Sequence, residues 1–313
     1  MRLVFVMDPV DTVIVDEDTS FAIMLEAQNR GHRVDHCLVP DVEVVDGRCR
    51  AAVRQATMSR EASVPVTLGE PELVDLADVD AIFVRKDPPF TEEYLWLTLL
   101  LEHLRGTTLV VNDPRGLRDA NEKLYATYFP ELTPRTLVSG DKTRIKAFLE
   151  EVGGRAVIKP VDGHGGEGIF AMSTGDKNLN AHIETVTRHG RRVAMVQAFI
   201  DKVSEGDKRI LLMDGEILGA ILRVPQKGDL RSNIHVGGRV VGTEITDADR
   251  RIVETVAPRL RNDGLWFVGL DVIGGMLTEV NVTSPTGIQQ MSRLSGTNCE
   301  APVLDWLEAK VKS

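Results

Sequence analysis

The segment from Leu265 to Asn281, LWFVGLDVIGGMLTEVN, constrains the fold more than any other part of this chain. Its first half, up to Ile273, is almost entirely apolar, which predicts a buried strand. Asp271 interrupts this apolar run, and burying an unpaired carboxylate costs free energy. The sequence therefore predicts a buried strand in which another group must compensate the carboxylate of Asp271.

A glycine pair follows this strand and predicts a hairpin. If the turn contains the three residues from Gly274 to Met276, Asp271 lies directly opposite Glu279. Period-two alternation then places Asn281 on the same face as Glu279. Oxygen donors of these types suit Mg²⁺, which keeps some waters and also binds substrate phosphates. A two-residue turn would instead put the two carboxylates on opposite faces and would rule out the metal site. Even with a three-residue turn, the carboxylates could lie on a solvated face or pair with Lys or Arg instead of binding a metal.

A second glycine pattern, Gly163, Gly165 and Gly168, matches the G-x-G-x-x-G spacing of dinucleotide-binding loops. The helix that such a loop should open is not predicted, because residues 169–173 lack helical spacing and indicate a strand. We interpret the loop as the tip of a hairpin whose backbone N–H groups approach phosphates, with Lys159 supplying positive charge. A plain flexible turn is the alternative, and a dehydrogenase is disfavoured.

The first third of the chain alternates strand-like and helix-like patterns, which is typical of a parallel sheet with covering helices. Strands are predicted at 3–7, 33–39, 79–84 and 108–111. A helix is predicted after an N-cap at Ser20, with Gly31 as its stop. The segment from about 45 to 70 has weak patterning, and no element is predicted there.

Further along, the sequence predicts a helix at 143–152, a strand at 156–159 and a helix that opens at Thr246. Pro258 is expected to kink this last helix or to end it early. Arginines recur in the same part of the chain, at Arg209, Arg223, Arg231 and Arg239. Since arginine binds carboxylates and phosphates bidentately, this cluster predicts an anion pocket, although solvated surface arginine is the commoner case.

Length, charge and cysteine content limit the class of protein. A chain of 313 residues is long enough for two or three domains, and a formal net charge of −10 argues against a nucleic-acid partner. No apolar run is long enough to span a bilayer, so we expect no membrane partner and a cytoplasmic location. Cys37, Cys49 and Cys299 form no CxxC pair, which suits a reducing compartment, and we interpret them as small buried hydrophobes.

Seven stretches of the sequence together point to a known family. They are VMDP at 6–9, SFAIMLEAQNRG at 20–31, RKDPPF at 85–90, LRDANEKL at 117–124, KPVDGHGGEGIF at 159–170, GDKRIL at 206–211 and GLDVIGGMLTEVNVTSPTGI at 269–288. On these motifs the chain resembles the bacterial glutathione synthetases of the ATP-grasp superfamily over essentially its whole length.

The resemblance implies an α/β (α+β multidomain) chain with the ATP-grasp fold. A Rossmann-like parallel-sheet domain is expected at 1–120, a small central lid domain at 121–199, and a catalytic antiparallel-sheet domain at 200–313. ATP would bind between the lid and the third domain. The implied nucleotide-binding residues are Lys123 and Lys159 at the phosphates, Gly163, Gly165 and Gly166 in the loop above them, Gln197, Phe199 and Ile200 at the adenine, and Glu205 at the ribose.

The resemblance also assigns the remaining site residues. The implied magnesium ligands are Asp271, Glu279 and Asn281, which agrees with the hairpin argument. The residues implied to face the acyl phosphate and the carboxylates are Arg209, Arg223 and Arg239. Those implied to line the peptide or glycine site are Arg85, Ser284 and Thr286. ATP is then a co-substrate, Mg²⁺ (or Mn²⁺) the cofactor, and the assembly a homo-oligomer, either dimer or tetramer.

The implied reaction joins γ-glutamylcysteine and glycine through an acyl phosphate, releasing ADP and phosphate. The loop at 225–239 departs most from the family, at Lys227, His235 and Val236. For that reason the alternative is another ATP-grasp carboxylate–amine ligase with a different peptide or acceptor amine. A regulator that has lost catalysis is disfavoured by the intact Lys159 and acidic hairpin.

Overall fold

The computed structural model describes residues 1–163, 165–226 and 238–312. Three β-sheets with covering helices form this part of the chain, which confirms the mixed α/β architecture expected from the sequence. None of the described helices is both long and apolar enough to cross a membrane. The predictions made for Lys227, Arg231, His235 and Val236 lie outside the described residues.

The first sheet combines a parallel core with an antiparallel edge. Its strands are β1 (Arg2–Met7), β2 (Arg33–Cys37), β3 (Val42–Val45), β4 (Arg48–Met58), β5 (Val66–Asp75), β6 (Ala81–Arg85) and β7 (Leu109–Val111). They are arranged in the order β3-β4-β2-β1-β6-β7, with β5 paired to β4. β2, β1, β6 and β7 run parallel, so the four strands predicted in this region are confirmed.

The segment for which no element was predicted forms the antiparallel edge, β3 to β5. In β4 the small apolar residues Cys49, Ala51 and Val53 are buried, while Arg48 and Arg54 on the other face are exposed. Apolar and charged residues therefore alternate with the period of a half-buried strand. The small size of the buried residues made this pattern weak in the sequence.

Helices α1 (Thr19–Asn29), α2 (Glu92–Leu101) and α3 (Pro114–Asp119) accompany this sheet. The prediction of Ser20 as the N-cap of α1 was wrong. The cap is Asp18, whose side chain accepts a 2.7 Å hydrogen bond from the Phe21 N–H, because its carboxylate satisfies a free amide of the first turn. Gly31 follows the helix with φ +79°, a left-handed conformation that suits glycine, and ends it as expected.

The second sheet is small, antiparallel and has its own core. Its strands are β8 (Thr136–Ser139), β9 (Arg155–Pro160), β10 (Phe170–Ser173) and β11 (Ala194–Ala198), in the order β10-β9-β11-β8, and its helices are α4 (Lys142–Glu151) and α5 (Leu179–Val186). The predicted helix at 143–152 and the predicted hairpin around the glycine loop are both confirmed. Ile145, Phe148, Ile158 and Ile183 form part of this separate core.

The third sheet is antiparallel and contains the acidic hairpin. Its strands are β12 (Asp207–Met213), β13 (Glu216–Val224), β14 (Arg239–Gly242), β15 (Phe267–Ile273) and β16 (Met276–Asn281), in the order β14-β13-β12-β15-β16. The helices that follow its strands are α6 (Asp247–Asn262), α7 (Ile288–Ser295) and α8 (Ala301–Val311). Each of the three sheets lies within one of the domains expected at 1–120, 121–199 and 200–313, and those boundaries stay predictions.

Helix α6 opens at Thr246 as predicted, with a capping box in which Thr246 and Asp249 satisfy each other's backbone N–H groups. Of the two effects expected of Pro258, early termination does not occur, since the helix continues to Asn262, and a kink stays a prediction. Pro258 and Glu254, whose carbonyl loses its helical partner, both lie on the exposed side of the helix. Water can therefore hydrogen-bond that carbonyl, and the buried face remains continuous.

Asn112, just after β7, joins the first sheet to the third. It is buried; its amide nitrogen donates to the carbonyls of Phe267 and Val282, both at 2.9 Å, and its oxygen accepts from the Phe267 N–H at 2.7 Å. Apolar residues of both sheets also belong to one core, for example Val4 and Ile210. The first and third sheets therefore pack together, and the second sheet stands apart across a cleft.

Candidate active site

The acidic hairpin has a different turn from the predicted one but the same pairing. Ile273 pairs with Met276, so the turn contains only the two glycines, and the expectation of three turn residues was wrong. A β-bulge then leaves Thr278 as an extra residue on β16, and Asp271 still pairs with Glu279. The bulge shifts the register by one residue and so cancels the effect of the shorter turn.

The paired carboxylates line a cleft of about 740 Å³ that the three sheets share. Sixteen of the predicted site residues line this cleft: Arg85, Lys123, Lys159, Gly163, Gly165, Gly166, Gln197, Phe199, Ile200, Arg209, Arg223, Asp271, Glu279, Asn281, Ser284 and Thr286. Two do not line it. Glu205 is exposed at the end of the 3₁₀ helix Asp201–Glu205, and Arg239 is exposed at the start of β14.

Two buried arginines hold Asp271 on the third sheet. Arg209 Nε lies 2.5 Å from Asp271 Oδ1 and its Nη2 lies 3.0 Å from Oδ2, in a bidentate pair, while Arg223 Nη2 lies 2.9 Å from Oδ1. The same Arg223 nitrogen donates to Asp207 at 2.5 Å. Burial by itself would raise the pKa of Asp271, but the two guanidinium charges hold this pKa well below its usual range. The alternative noted from the sequence, pairing with arginine, is thus present.

Two buried lysines reach the same face. Lys123 follows Glu122, whose carbonyl accepts from the Val280 N–H of β16, and Lys159 lies on β9 of the second sheet. Lys123 Nζ lies 2.8 Å from Glu279 Oε1, and Lys159 Nζ donates to the Thr278 carbonyl at 3.3 Å. Burial opposes the charge on Lys123, yet Glu279 raises its pKa above the ordinary value. Burial lowers the pKa of Lys159. Both ammonium groups therefore face the cleft, where a bound anionic substrate would compensate their positive charge.

Asp271, Glu279 and Asn281 fit a magnesium site in their chemistry and placement. All three offer the oxygen donors that Mg²⁺ prefers, and all three line the cleft. The Asn281 amide nitrogen donates to the Gly269 carbonyl at 3.2 Å, so its oxygen is the group left to act as a ligand. Among the described residues, no three or more His, Cys, Asp or Glu side chains cluster as a metal cage. Three oxygen donors are fewer than the six ligands that Mg²⁺ takes, so phosphates and water would have to complete such a site.

The glycine loop between β9 and β10 forms part of the cleft wall. Gly165, Gly166 and Gly168 have φ values of +62°, +84° and +69°, in the left-handed region that favours glycine. Because glycine has no side chain, the backbone of this loop is left uncovered. Lys123 Nζ donates to the carbonyl of Gly163, so the loop is held near the phosphate lysines. A hairpin tip of this kind can present N–H groups to phosphate oxygens.

The segment proposed for adenine lies at the end of β11. Gln197 is buried and its side chain donates to Thr136 Oγ1 at 3.1 Å, while the Phe199 N–H donates to the Arg155 carbonyl at 3.2 Å. The Arg155 guanidinium lies 4.2 Å from the centre of the Phe199 ring. The strand end is therefore fixed, with Ile200 beside it in the cleft wall.

The sequence suggested no role for two carboxylates that line the cleft, Asp207 and Glu122. Burial raises the pKa of Asp207 to about 7, beside Arg223. Glu122 accepts from the N–H groups of Val282 and Thr283 at 2.9 and 3.1 Å, and so ties the Lys123 segment to the end of the acidic strand. Its position in the LRDANEKL motif was the available signal.

Two family models together match most of this chain. Residues 1–118 match the model for the prokaryotic glutathione synthetase N-terminal domain, and residues 122–296 match that for the prokaryotic glutathione synthetase ATP-grasp domain. The chain belongs to the prokaryotic glutathione synthetase family. Membership in this family makes it an ATP-dependent ligase, as the motifs implied.

Similar proteins of the family cover the whole chain. It is 47% identical to the glutathione synthetase of Gloeobacter violaceus, with 98% of this chain and 96% of the relative aligned. Identity to the glutathione synthetase of Vibrio parahaemolyticus is 41%, over 100% of this chain and 99% of the relative.

Solved structures confirm the ATP-grasp fold. The D-cycloserine synthetase DcsG is 16% identical with a TM-score of 0.67, over 98% of this chain and all of that one. The ATP-grasp ligase PsnB, complexed with precursor peptide PsnA2 and AMPPNP, is 17% identical with a TM-score of 0.63, over 99% and 98% of the chains. At such identity the likeness shows the fold alone.

Proposed function

We propose that this family member ligates γ-glutamylcysteine and glycine to glutathione, with ATP converted to ADP and phosphate. The observation that carries this proposal is the facing pair Asp271 and Glu279, with arginines on one side and lysines on the other. Such an arrangement supports bringing two anions, a carboxylate and a triphosphate, into contact. The 40–47% identity to named glutathione synthetases supports the choice of substrates.

In the first step, an oxygen of the cysteinyl carboxylate attacks the γ-phosphorus of ATP. The bond between that phosphorus and the β–γ bridging oxygen breaks, so that an acyl phosphate forms and ADP leaves. We assign Lys123 and Lys159 to the phosphates, because both ammonium groups are buried in the cleft wall. Arg209 and Arg223 would orient the carboxylate and stabilise the charge that develops.

In the second step, the glycine amine attacks the acyl carbon. Phosphate leaves with the electron pair of the carbon–oxygen bond, and the nitrogen loses a proton as the amide forms. Residues of the cleft hold the two reactants close, which lowers the entropic part of the barrier. The glycine loop at Gly163 to Gly166 would limit the entry of water, which otherwise hydrolyses the acyl phosphate.

Asp271, Glu279 and Asn281 are the residues that would hold Mg²⁺. When bound, the ion would neutralise phosphate charge. The chain itself positions these donors: Arg209 and Arg223 fix Asp271, Lys123 fixes Glu279, and the Gly269 carbonyl fixes Asn281. The homo-oligomer stays a prediction from the resemblance.

The test measures ADP release in the presence of ATP and Mg²⁺, with each substrate alone and with both together. We expect release to require γ-glutamylcysteine and to reach its full rate only with glycine, and glutathione to be detected by mass. Lys159→Met should lower kcat/KM by about 10²- to 10³-fold, whereas Lys177→Met, at an exposed position outside the cleft, should not. No stimulation by the substrate pair, but stimulation by another peptide or amine, would reject these substrates.

A further inference from the structure

Helix α2 has one buried face and an opposite face that stays exposed. The exposed face carries Glu92, Trp96 and Leu99, and the 3₁₀ turn Glu102–Leu104 that continues the helix adds His103. These four positions are separated by four, three and four residues, so they form one row along the helix, which we call the α2 stripe. The residues that bury the opposite face are Tyr94, Leu97, Thr98 and Leu101.

Two large apolar side chains occupy the centre of the α2 stripe. Trp96 is 55% exposed and Leu99 is 40% exposed. The chain contains three tryptophans, and the other two, Trp266 and Trp306, lie against each other with their ring centres 5.6 Å apart. Grouped apolar side chains on a surface mark an interaction site, and tryptophan is enriched among the residues that dominate binding at interfaces. The α2 stripe therefore indicates a protein partner.

The two ends of the α2 stripe carry complementary polar groups. At the first end, Glu92 is exposed and forms no ion pair with another described residue. At the second end, Glu102 pairs with Arg105 and Arg118, both at 3.2 Å, so its charge is compensated. His103 is exposed beside it, and an imidazole N–H donates to a carboxylate. One end thus offers an acceptor and the other a donor.

The α2 stripe is complementary to itself when a second copy of the helix runs antiparallel to it. A two-fold axis between positions 97 and 98 places Trp96 of each copy opposite Leu99 of the other. The same axis places Glu92 of each copy opposite His103 of the other. Antiparallel helices also bring opposite ends of their dipoles together. A parallel pair would instead place Glu92 against Glu92, and such a juxtaposition of like charges is unfavourable.

We propose that two copies of this chain associate through the α2 stripe, antiparallel and about a two-fold axis. In this contact Trp96 packs against Leu99, and Glu92 accepts from His103, each pair occurring twice. An isologous contact of this kind closes on itself. The inference does not depend on the proposed function and goes beyond it, since it identifies the surface through which the chain would associate.

The surroundings of the α2 stripe are compatible with this association. Phe90 and Arg105, which are 40% and 50% exposed, flank its two ends. The antiparallel pair brings the Phe90 end of one copy beside the Arg105 end of the other, so the contact extends beyond the helices. Among the described residues, none of those in α2 lines the cleft. Association through α2 therefore leaves the cleft open to substrates.

The first test is sedimentation velocity of the full chain over a wide range of concentrations. The unmodified chain should sediment as a dimer, or as a tetramer if a second contact joins two such dimers. Trp96→Lys should halve this mass and raise the dissociation constant at least about 100-fold, because it places a charge at the centre of the contact twice. Leu294→Lys is the matched control, since Leu294 is 49% exposed on α7, and it should keep the mass unchanged.

Cysteine pairing tests the antiparallel direction. The variants Glu92→Cys and His103→Cys are oxidised separately and as a mixture. We expect disulfide-linked chains in the mixture only, because equivalent positions of the two copies lie about 16 Å apart along the helix. The native thiols Cys37, Cys49 and Cys299 are buried and should contribute little background.

Three results would overturn the proposal. The first is an unmodified chain that remains a monomer at every concentration. The second is an unchanged mass for Trp96→Lys, which would assign association to another surface. The third is linkage of Glu92→Cys to itself without linkage in the mixture, which would indicate a parallel pair. Circular dichroism checks that each variant is folded, and the cysteine pairing still tests the contact if Trp96→Lys does not fold.

Discussion

Replacing Asp271 with asparagine perturbs the charge network on the third sheet. Asp271 contacts Arg209 at 2.5 and 3.0 Å and Arg223 at 2.9 Å, and the three side chains are only 6–8% exposed. Removing one partner of a buried ion pair costs about 3–5 kcal/mol, because the other charge stays buried without compensation. Arg223 retains Asp207 at 2.5 Å, so Arg209 is the residue that loses its carboxylate.

The expected loss lies at the lower end of that range at neutral pH. Burial raises the pKa of Asp207 to about 7, and the charge of Asp271 contributes to this shift. Without Asp271, the Asp207 carboxyl should ionise more completely at pH 7 and recover part of the lost attraction. We therefore expect the free energy of unfolding to fall by about 3 kcal/mol.

Urea unfolding followed by circular dichroism, with EDTA present to exclude divalent ions, measures this loss. Asp201→Asn is the matched control, since Asp201 contacts Arg155 at 2.6 Å but the two side chains are 80% and 56% exposed. Its cost should be about 0–1 kcal/mol. If Asp271→Asn cost no more than this control, the proposed contribution of the buried network would be refuted.

Three further predictions follow from particular contacts. Glu279→Gln should lower kcat/KM by at least about 10²-fold and raise the Mg²⁺ concentration needed for half-maximal rate; an unchanged magnesium titration would argue against Glu279 as a ligand. Asn112→Ala should lower the free energy of unfolding by about 2–4 kcal/mol, because three buried backbone groups lose their partner; a loss under about 0.5 kcal/mol in urea unfolding would contradict this. Burial raises the pKa of the Cys37 thiol, and raises that of Cys49 to about 11, so native thiols should react slowly with a disulfide reagent at pH 8. Rapid labelling of the folded chain would refute these pKa shifts. The same shifts stabilise the fold below the ordinary thiol pKa of 9.0, and the free energy of unfolding should lose this contribution as pH rises above that value.

The hairpin shows what a sequence can and cannot predict. The apolar run around Asp271 predicted a buried strand. The need to compensate its charge predicted a metal ion, with pairing to Lys or Arg as the alternative; the structure shows the pairing with arginine and lysine, and the metal ion stays a prediction. The turn was wrong, since a two-residue turn and a bulge at Thr278 together give the pairing that a three-residue turn would give. A bulge depends on packing against neighbouring strands, and nothing in the local sequence distinguishes the two solutions.

One cleft residue that the motifs missed has a role that depends on a distant partner. The Glu122 carboxylate accepts a hydrogen bond from the N–H of Val282, 160 residues further along the chain. Glu205 and Arg239 were carried over by position, yet both are exposed outside the cleft lining. Local pattern therefore predicted many of the elements, and the family resemblance predicted most of the cleft residues, whereas partners from different sheets required the structure.

The measurement that tests the proposed acyl-phosphate mechanism most directly follows one oxygen atom. γ-Glutamylcysteine labelled with ¹⁸O in its cysteinyl carboxylate is converted with ATP and glycine, and the released phosphate is analysed by mass. An acyl phosphate transfers one labelled oxygen from each carboxylate to phosphate, and we predict that transfer. Phosphate that carries no label, while glutathione still forms, would contradict the mechanism.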